Sequence, residues 1–354
     1  MNSTVIGADM TGRQFDLLQA AALGKADRTP VALIADSPWI PGFVGMGSME
    51  YFTQPESWLR ANLQVVSRFP DVIFVPGFWV EYGMAVEPSA FGCKVSWWKD
   101  SPPSVSPVLT DISGATKLSV PNPGNDGLMP FVLYLQRWAE GRIGPLGYSI
   151  QIVAARGPLA LATHLRGVTE FLTDIKIEPE DSHALLDICT RTVISWLRAQ
   201  AENLPGVRGV LVLDDIVGLI SPADYETFAH PYLKRIFDAF PTMLKIYHND
   251  ANVEPFAERL AETGFDILNF SHQIDMAEMT RRIGRRVGLM GNVPPLQTLA
   301  QGTPSEVRSS ADLCLARSNG RLILSAGGGT SPGTPAENIA ALSLAAGARE
   351  RKTV

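Results

Sequence analysis

Eight short apolar runs, each ending in polar or glycine residues, recur at regular spacing along this 354-residue chain. They read VALIAD (31–36), VIFVPG (72–77), YSIQIVA (148–154), VLVLDD (210–215), LKIYHND (244–250), ILNFSH (267–272), VGLMGN (287–292) and LILSAGG (322–328). Continuous runs rich in Val, Ile and Leu suit parallel strands covered on both faces. Most are separated by enough residues for a helix, the spacing of repeated βα units, and eight such units close a (β/α)8 TIM barrel. Chemistry in that fold sits at the carboxyl ends of the strands. Asp36, Asp214, Asp215, His248, Asp250, His272 and Asn292 are thereby expected around one mouth.

The length accommodates one barrel of about 250 residues with insertions, so a single domain over residues 1–354 is expected. A formal charge of −6 without a Lys/Arg cluster gives no electrostatic footprint for nucleic acid. Cys93, Cys189 and Cys314 form no CxxC pair, which fits a reducing compartment better than a disulfide framework. The amino terminus lacks a basic segment followed by an apolar core, and no apolar stretch reaches the roughly 18 residues of a membrane span. A soluble cytoplasmic protein with no membrane partner is the expectation.

Residues 1–30 are read as a helical lead-in and residues 87–130, rich in Pro, Gly and Ser, as an insertion with short strands folding over the mouth. The loop 37–52, SPWIPGFVGMGSMEYF, offers Trp39, Phe43, Met46 and Tyr51 to a substrate pocket. Trp79, Trp97 and Trp98 extend the same aromatic lining, with core packing as the competing account. Ser221-Pro222 and Thr303-Pro304-Ser305-Glu306 read as capped helix starts, repeated at Thr334-Pro335-Ala336-Glu337. Pro231 should break or kink the helix it enters, and the tail ARERKTV (348–354) should fray.

Several ordered motifs resemble the uroporphyrinogen decarboxylase superfamily, which includes methyltransferases that exchange methyl groups with corrinoid proteins. LDDIVGLISPADYETFAHPYLKRI (213–236), GNVPPLQTLAQGTPSEV (291–307), GGGTSPGTPAENIAAL (327–342) and VEPSAFG (86–92) carry the likeness. The decarboxylases use arginines in the loop after the first strand to hold their polycarboxylate substrate, as bidentate guanidinium recognition requires. Residues 37–52 contain no Arg or Lys. The resemblance is therefore closer to the methyltransferase branch, and implies a small methylated donor such as a methoxyaromatic or methylamine-like compound, a partner protein carrying a corrinoid (cobalamin), and a homodimer. A divergent metal-free decarboxylase and a non-catalytic binding barrel are the alternatives.

The methyltransferases are similar in a zinc site of His-x-Cys plus a Cys in the final Gly-rich loop. Here His248-Asn249-Asp250 and Gly327-Gly328-Gly329 occupy those segments, so Asp250 and Gly328 stand where the cysteines would be. His248 and Asp250, two apart on a strand, face one way and make a workable zinc pair, completed by Glu87 or Asp215. The competing account makes His248 a hydrogen-bonded strand end and Asp250 a cap. Asp215 and His272 are candidate acid/base groups, and adjacent Asp214 should face away from Asp215. Gly327, Gly328 and Gly329 would offer N–H groups to an anion or room for the face of a corrinoid. Asn292 is a candidate substrate contact.

Overall fold

The computed structural model describes residues 9–347. Its eight parallel strands are β1 (Val31–Ile34), β2 (Val72–Val75), β3 (Ile152–Arg156), β4 (Gly209–Leu213), β5 (Leu244–Asn249), β6 (Ile267–Phe270), β7 (Gly288–Val293) and β8 (Leu322–Ala326). Hydrogen-bonded neighbours run in the order β2-β1-β8-β7-β6-β5-β4-β3, every pair parallel. With helices between the strands this is the expected (β/α)8 barrel, nearly closed.

Each apolar run supplies one strand because both of its faces are buried. Ala32, Ile34, Ile73, Val75, Ile152, Ala154, Leu211, Leu213, Leu244 and Ile246 point inward to one cluster, whereas Val31, Leu33, Val153, Val210 and Val212 pack outward in another. Helix α1 (Met10–Ala22) is the expected lead-in. Its Phe15, Leu18, Ala21 and Ala22 join the inward cluster and close the end of the barrel opposite the mouth.

Three local expectations change. The third strand begins and ends later than its apolar run, reaching Arg156. The insertion forms a hairpin, Lys94–Ser96 with Ser104–Ser106, and a 3-10 helix, Ile112–Lys117. The hairpin reaches the rim, where Trp97 meets Phe52 and Tyr82; beyond it the Val108 and Leu109 N–H groups bind the Leu165 carbonyl on the barrel's flank. Thr334 spends its hydroxyl on the Ser331 carbonyl. Elsewhere the caps form as read: Ser221 accepts from the Asp224 N–H, and Thr303 and Glu306 close a capping box. A π-helical turn, Tyr225–Ala229, absorbs the break before Pro231. The tail 348–354 lies outside the described residues.

Candidate active site

Period-two alternation decides which side chains reach the mouth. The inward residues Ile34, Ala154, Leu213, Ile246 and Ile267 are followed two places on by Asp36, Arg156, Asp215, His248 and Asn269. One ligand atom each from Asp215, His248 and Asp250 lies within 4.8 Å of the others. His248 Nε2 is 3.5 Å from Asp215 Oδ1, and the Asp250 N–H donates to the same oxygen at 2.9 Å.

A buried asparagine fixes the histidine. Asn269 Nδ2 donates to the Met290 and Ala326 carbonyls, both at 3.0 Å, so its Oδ1 is the atom turned to His248 Nδ1 at 2.7 Å. That oxygen can only accept, so the network assigns the hydrogen to Nδ1 and leaves Nε2 facing two carboxylates. Such a tautomer, held by an outer partner, is what a metal-binding imidazole requires. Partial burial and the Asp215 charge push the Asp250 carboxyl above its usual range.

The residues fit a small divalent ion. Ligands around tetrahedral zinc at about 2.0–2.1 Å stand about 3.4 Å apart. The 3.5 Å His248–Asp215 contact already has that spacing, and the remaining ligand atoms lie within 4.8 Å of one another. The fourth position has room. At Gly328, where φ is +137°, an added Cβ would lie 3.4 Å from Asp250 Oδ2, and at Gly329 it would meet nothing within 4 Å. Gly327 is small for a different reason: its Cβ would stand 2.4 Å from the His272 backbone nitrogen.

Asp214 turns away from Asp215, as alternation demands. It is fully buried and accepts the Leu159 and Ala160 N–H groups at 2.9 Å, capping helix α2 (Pro158–Arg166). A Cβ on Gly157 would lie 2.3 Å from Asp214 Oδ2, so only glycine admits the carboxylate.

A second polar group stands at the β1, β2 and β3 side of the mouth. Glu81 accepts the Ser37 N–H at 2.9 Å and the Gly83 N–H. Arg156 Nη2 donates to the Gly83 carbonyl at 3.2 Å, and its guanidinium lies 5.7 Å from the Trp79 ring. Burial, with the Glu81 charge second, pushes the Asp36 carboxyl up to about 7.

Several expected site residues do other work. Glu87 is no member of the Asp215–His248–Asp250 group: it is buried and accepts the Arg156 main-chain N–H at 2.9 Å. Trp39 and Tyr51 are core residues at 1% exposure. Trp39 donates to the Thr334 carbonyl and packs on Phe43 and Phe74; Phe43 also meets Phe69, and Met46 packs on the same core. The loop 37–52 folds into two short helices, Ile40–Phe43 and Ser48–Thr53, whose aromatics face the protein. Asn292 is buried, donates to the Ser271 and Ile274 carbonyls and accepts from Cys314 Sγ, so both of its amide hydrogens are spent on the protein. His272 is half-buried and outside the metal-type group. Arg156, Glu81 and Asn269 are the additions that the fold makes to the site.

A family profile described as Uroporphyrinogen decarboxylase (URO-D) matches residues 14–348. Curated relatives include uroporphyrinogen decarboxylases of Synechococcus sp. (strain CC9605), 38% identical over 172 residues, and Parasynechococcus marenigrum (strain WH8102), 38% identical over 175 residues. These matches span 46% of this chain and 46% and 47% of the two relatives, about half of their length. Among solved structures, a methyltransferase from Methanosarcina mazei superposes with a TM-score of 0.82 at 24% identity, covering 97% of this chain and 100% of its own. A B12-independent methionine synthase from Shewanella sp. W3-18-1 does so with a TM-score of 0.53 at 12% identity, over 90% of this chain and 97% of its own.

Proposed function

Because this chain belongs to the uroporphyrinogen decarboxylase family, a family of enzymes, we propose that it is a metal-dependent methyltransferase that demethylates a small methylated compound and passes the methyl group to a corrinoid carried by a partner protein. The observation that carries this reading is the convergence of Asp215, His248 and Asp250, with His248 held by Asn269 so that Nε2 faces the two carboxylates. Zinc held there would act as a Lewis acid that polarises the substrate atom bearing the methyl group.

The chain's own residues supply the rest. Asn269 orients His248, and the Asp250 N–H bond to Asp215 holds the two carboxylates together. Gly328 and Gly329 keep the approach to them open for substrate and methyl acceptor. Asp36, whose raised pKa keeps a proton available near neutrality, stands with Glu81 and Arg156 on the other side of the mouth.

The experiment is incubation of the zinc-supplemented protein with cob(I)alamin and a panel of methoxylated and N-methylated compounds, followed by cobalamin absorbance. Conversion to methylcob(III)alamin with one class of donor, lost in His248→Ala, supports the reading. An unchanged spectrum with every donor contradicts it. Asp36 also favours a second reading, decarboxylation, where the same acid would protonate the carbanion left by carbon dioxide. That reaction would survive His248→Ala but not Asp36→Asn.

A further inference from the structure

Among the described residues, Arg156 is the cation that the inward strand faces bring to the mouth, and few of its side-chain donors are bonded. Its position follows from the inward series Ile152, Ala154, Arg156, and its guanidinium lies beside Trp79, which packs against the barrel's inner cluster. A guanidinium carries five N–H donors. Only Nη2 is bonded, to the Gly83 carbonyl at 3.2 Å. Among the described residues no carboxylate oxygen lies within 4.0 Å of its guanidinium nitrogens.

The nearby acids are committed elsewhere. Glu87 Oε1 takes the Arg156 main-chain N–H, not its side chain. Both oxygens of Glu81 are held by the Ser37 and Gly83 N–H groups. Burial raises the pKa of Asp36, Glu81 and Glu87 and the Arg156 charge opposes that rise at each, so the arginine feels all three acids without a bidentate contact to any of them. Arg156 thus keeps a planar fork of donors, flanked by an aromatic wall, with no partner among the described residues that matches its geometry.

Its distance from the metal-type group is set by strand register. Arg156 pairs with Leu213, and Leu213 pairs with His248. With strands about 4.8 Å apart, the Arg156 and His248 backbones are separated by about 10 Å, and both side chains face the same mouth. We infer that Arg156 anchors a carboxylate on the substrate, so that the substrate is a small aromatic acid, about one ring in size, whose methyl-bearing end reaches Asp215, His248 and Asp250. What happens at that far end rests on the methyl-transfer reading; the anchor does not.

Binding without turnover tests the anchor. The full chain is titrated calorimetrically with 4-methoxybenzoate and with its neutral counterpart 4-methoxybenzamide. The carboxylate binds about tenfold or more tightly than the amide, as a charge-assisted bidentate contact requires. R156Q abolishes the preference, and R156K, which keeps the charge but not the fork, retains a fraction of it; unchanged melting of each variant shows that the fold is intact. Equal affinity for the two probes, no saturable binding of either, or a preference that survives in R156Q overturns the inference. Carboxylate preference through Arg156 together with an inert corrinoid spectrum leaves the anchor standing and removes the methyl-transfer reading.

Discussion

Replacing Asn269 separates the two jobs that the structure gives this residue. In Asn269→Ala three buried hydrogen bonds vanish: 2.7 Å to His248 and 3.0 Å to each of the Met290 and Ala326 carbonyls. At about 1 kcal/mol each the loss is about 3 kcal/mol, and more where the two carbonyls stay dry. With an unfolding entropy of about 2.1 cal/mol/K per residue, a domain of this size should lose roughly 4 °C in Tm. The imidazole also loses the partner that fixes its tautomer, for which a 10–100-fold fall in zinc affinity is the usual consequence. Asn269→Asp keeps an acceptor for Nδ1–H but no donor for the carbonyls. Zinc affinity should therefore recover in Asn269→Asp relative to Asn269→Ala, while thermal stability should not. Calorimetric zinc titration and thermal melts of the three proteins read both effects. If zinc affinity in Asn269→Ala stays within about threefold of the native value, well short of the 10–100-fold fall, Asn269 does not control His248 and the tautomer assignment fails.

Asp36 should make stability pH-dependent. Its pKa rises from 3.8 to about 7 on folding, so its contribution is full below about pH 4 and is lost as pH rises through 7. The rise corresponds to about 4 kcal/mol. Asp36→Asn should flatten the fall in melting temperature between pH 4 and 8, and an unchanged profile would refute the raised pKa. Gly157→Ala forces a Cβ to within 2.3 Å of Asp214 Oδ2. It should displace the cap of α2 and cost about 2 kcal/mol or more in denaturant melts; a neutral result would mean that Asp214 does not sit on the helix terminus.

The barrel was legible because its strands are buried on both faces, so each apolar run marks one strand without ambiguity. The end of β3 was misplaced because an arginine closes its inward series, and a charge reads as the end of a strand. Asn269 was hidden by the apolar residues around it in Ile267–Phe270, although a polar residue on an inward strand position demands a partner. The aromatics of loop 37–52 were misassigned since Trp39 and Tyr51 serve a core as well as a pocket, and nothing local tells which face a short helix buries. Glu87 and Asn292 depend on contacts across 69 and 21 residues of chain, which spacing alone does not disclose. The opposed facing of Asp214 and Asp215, and the shared face of His248 and Asp250, needed only the period of a strand.

The central claim is that Asp215, His248 and Asp250 hold a divalent ion. Its most direct test is metal analysis of protein purified without a histidine tag, alongside His248→Ala and Asp215→Ala, with melting curves before and after added zinc. The native chain should carry or take up about one equivalent of zinc and gain stability with it, while each variant should hold about a tenth of that or less. A native protein holding less than about a tenth of an equivalent, with added zinc changing neither its melting temperature nor its reaction with cobalamin, would contradict the account.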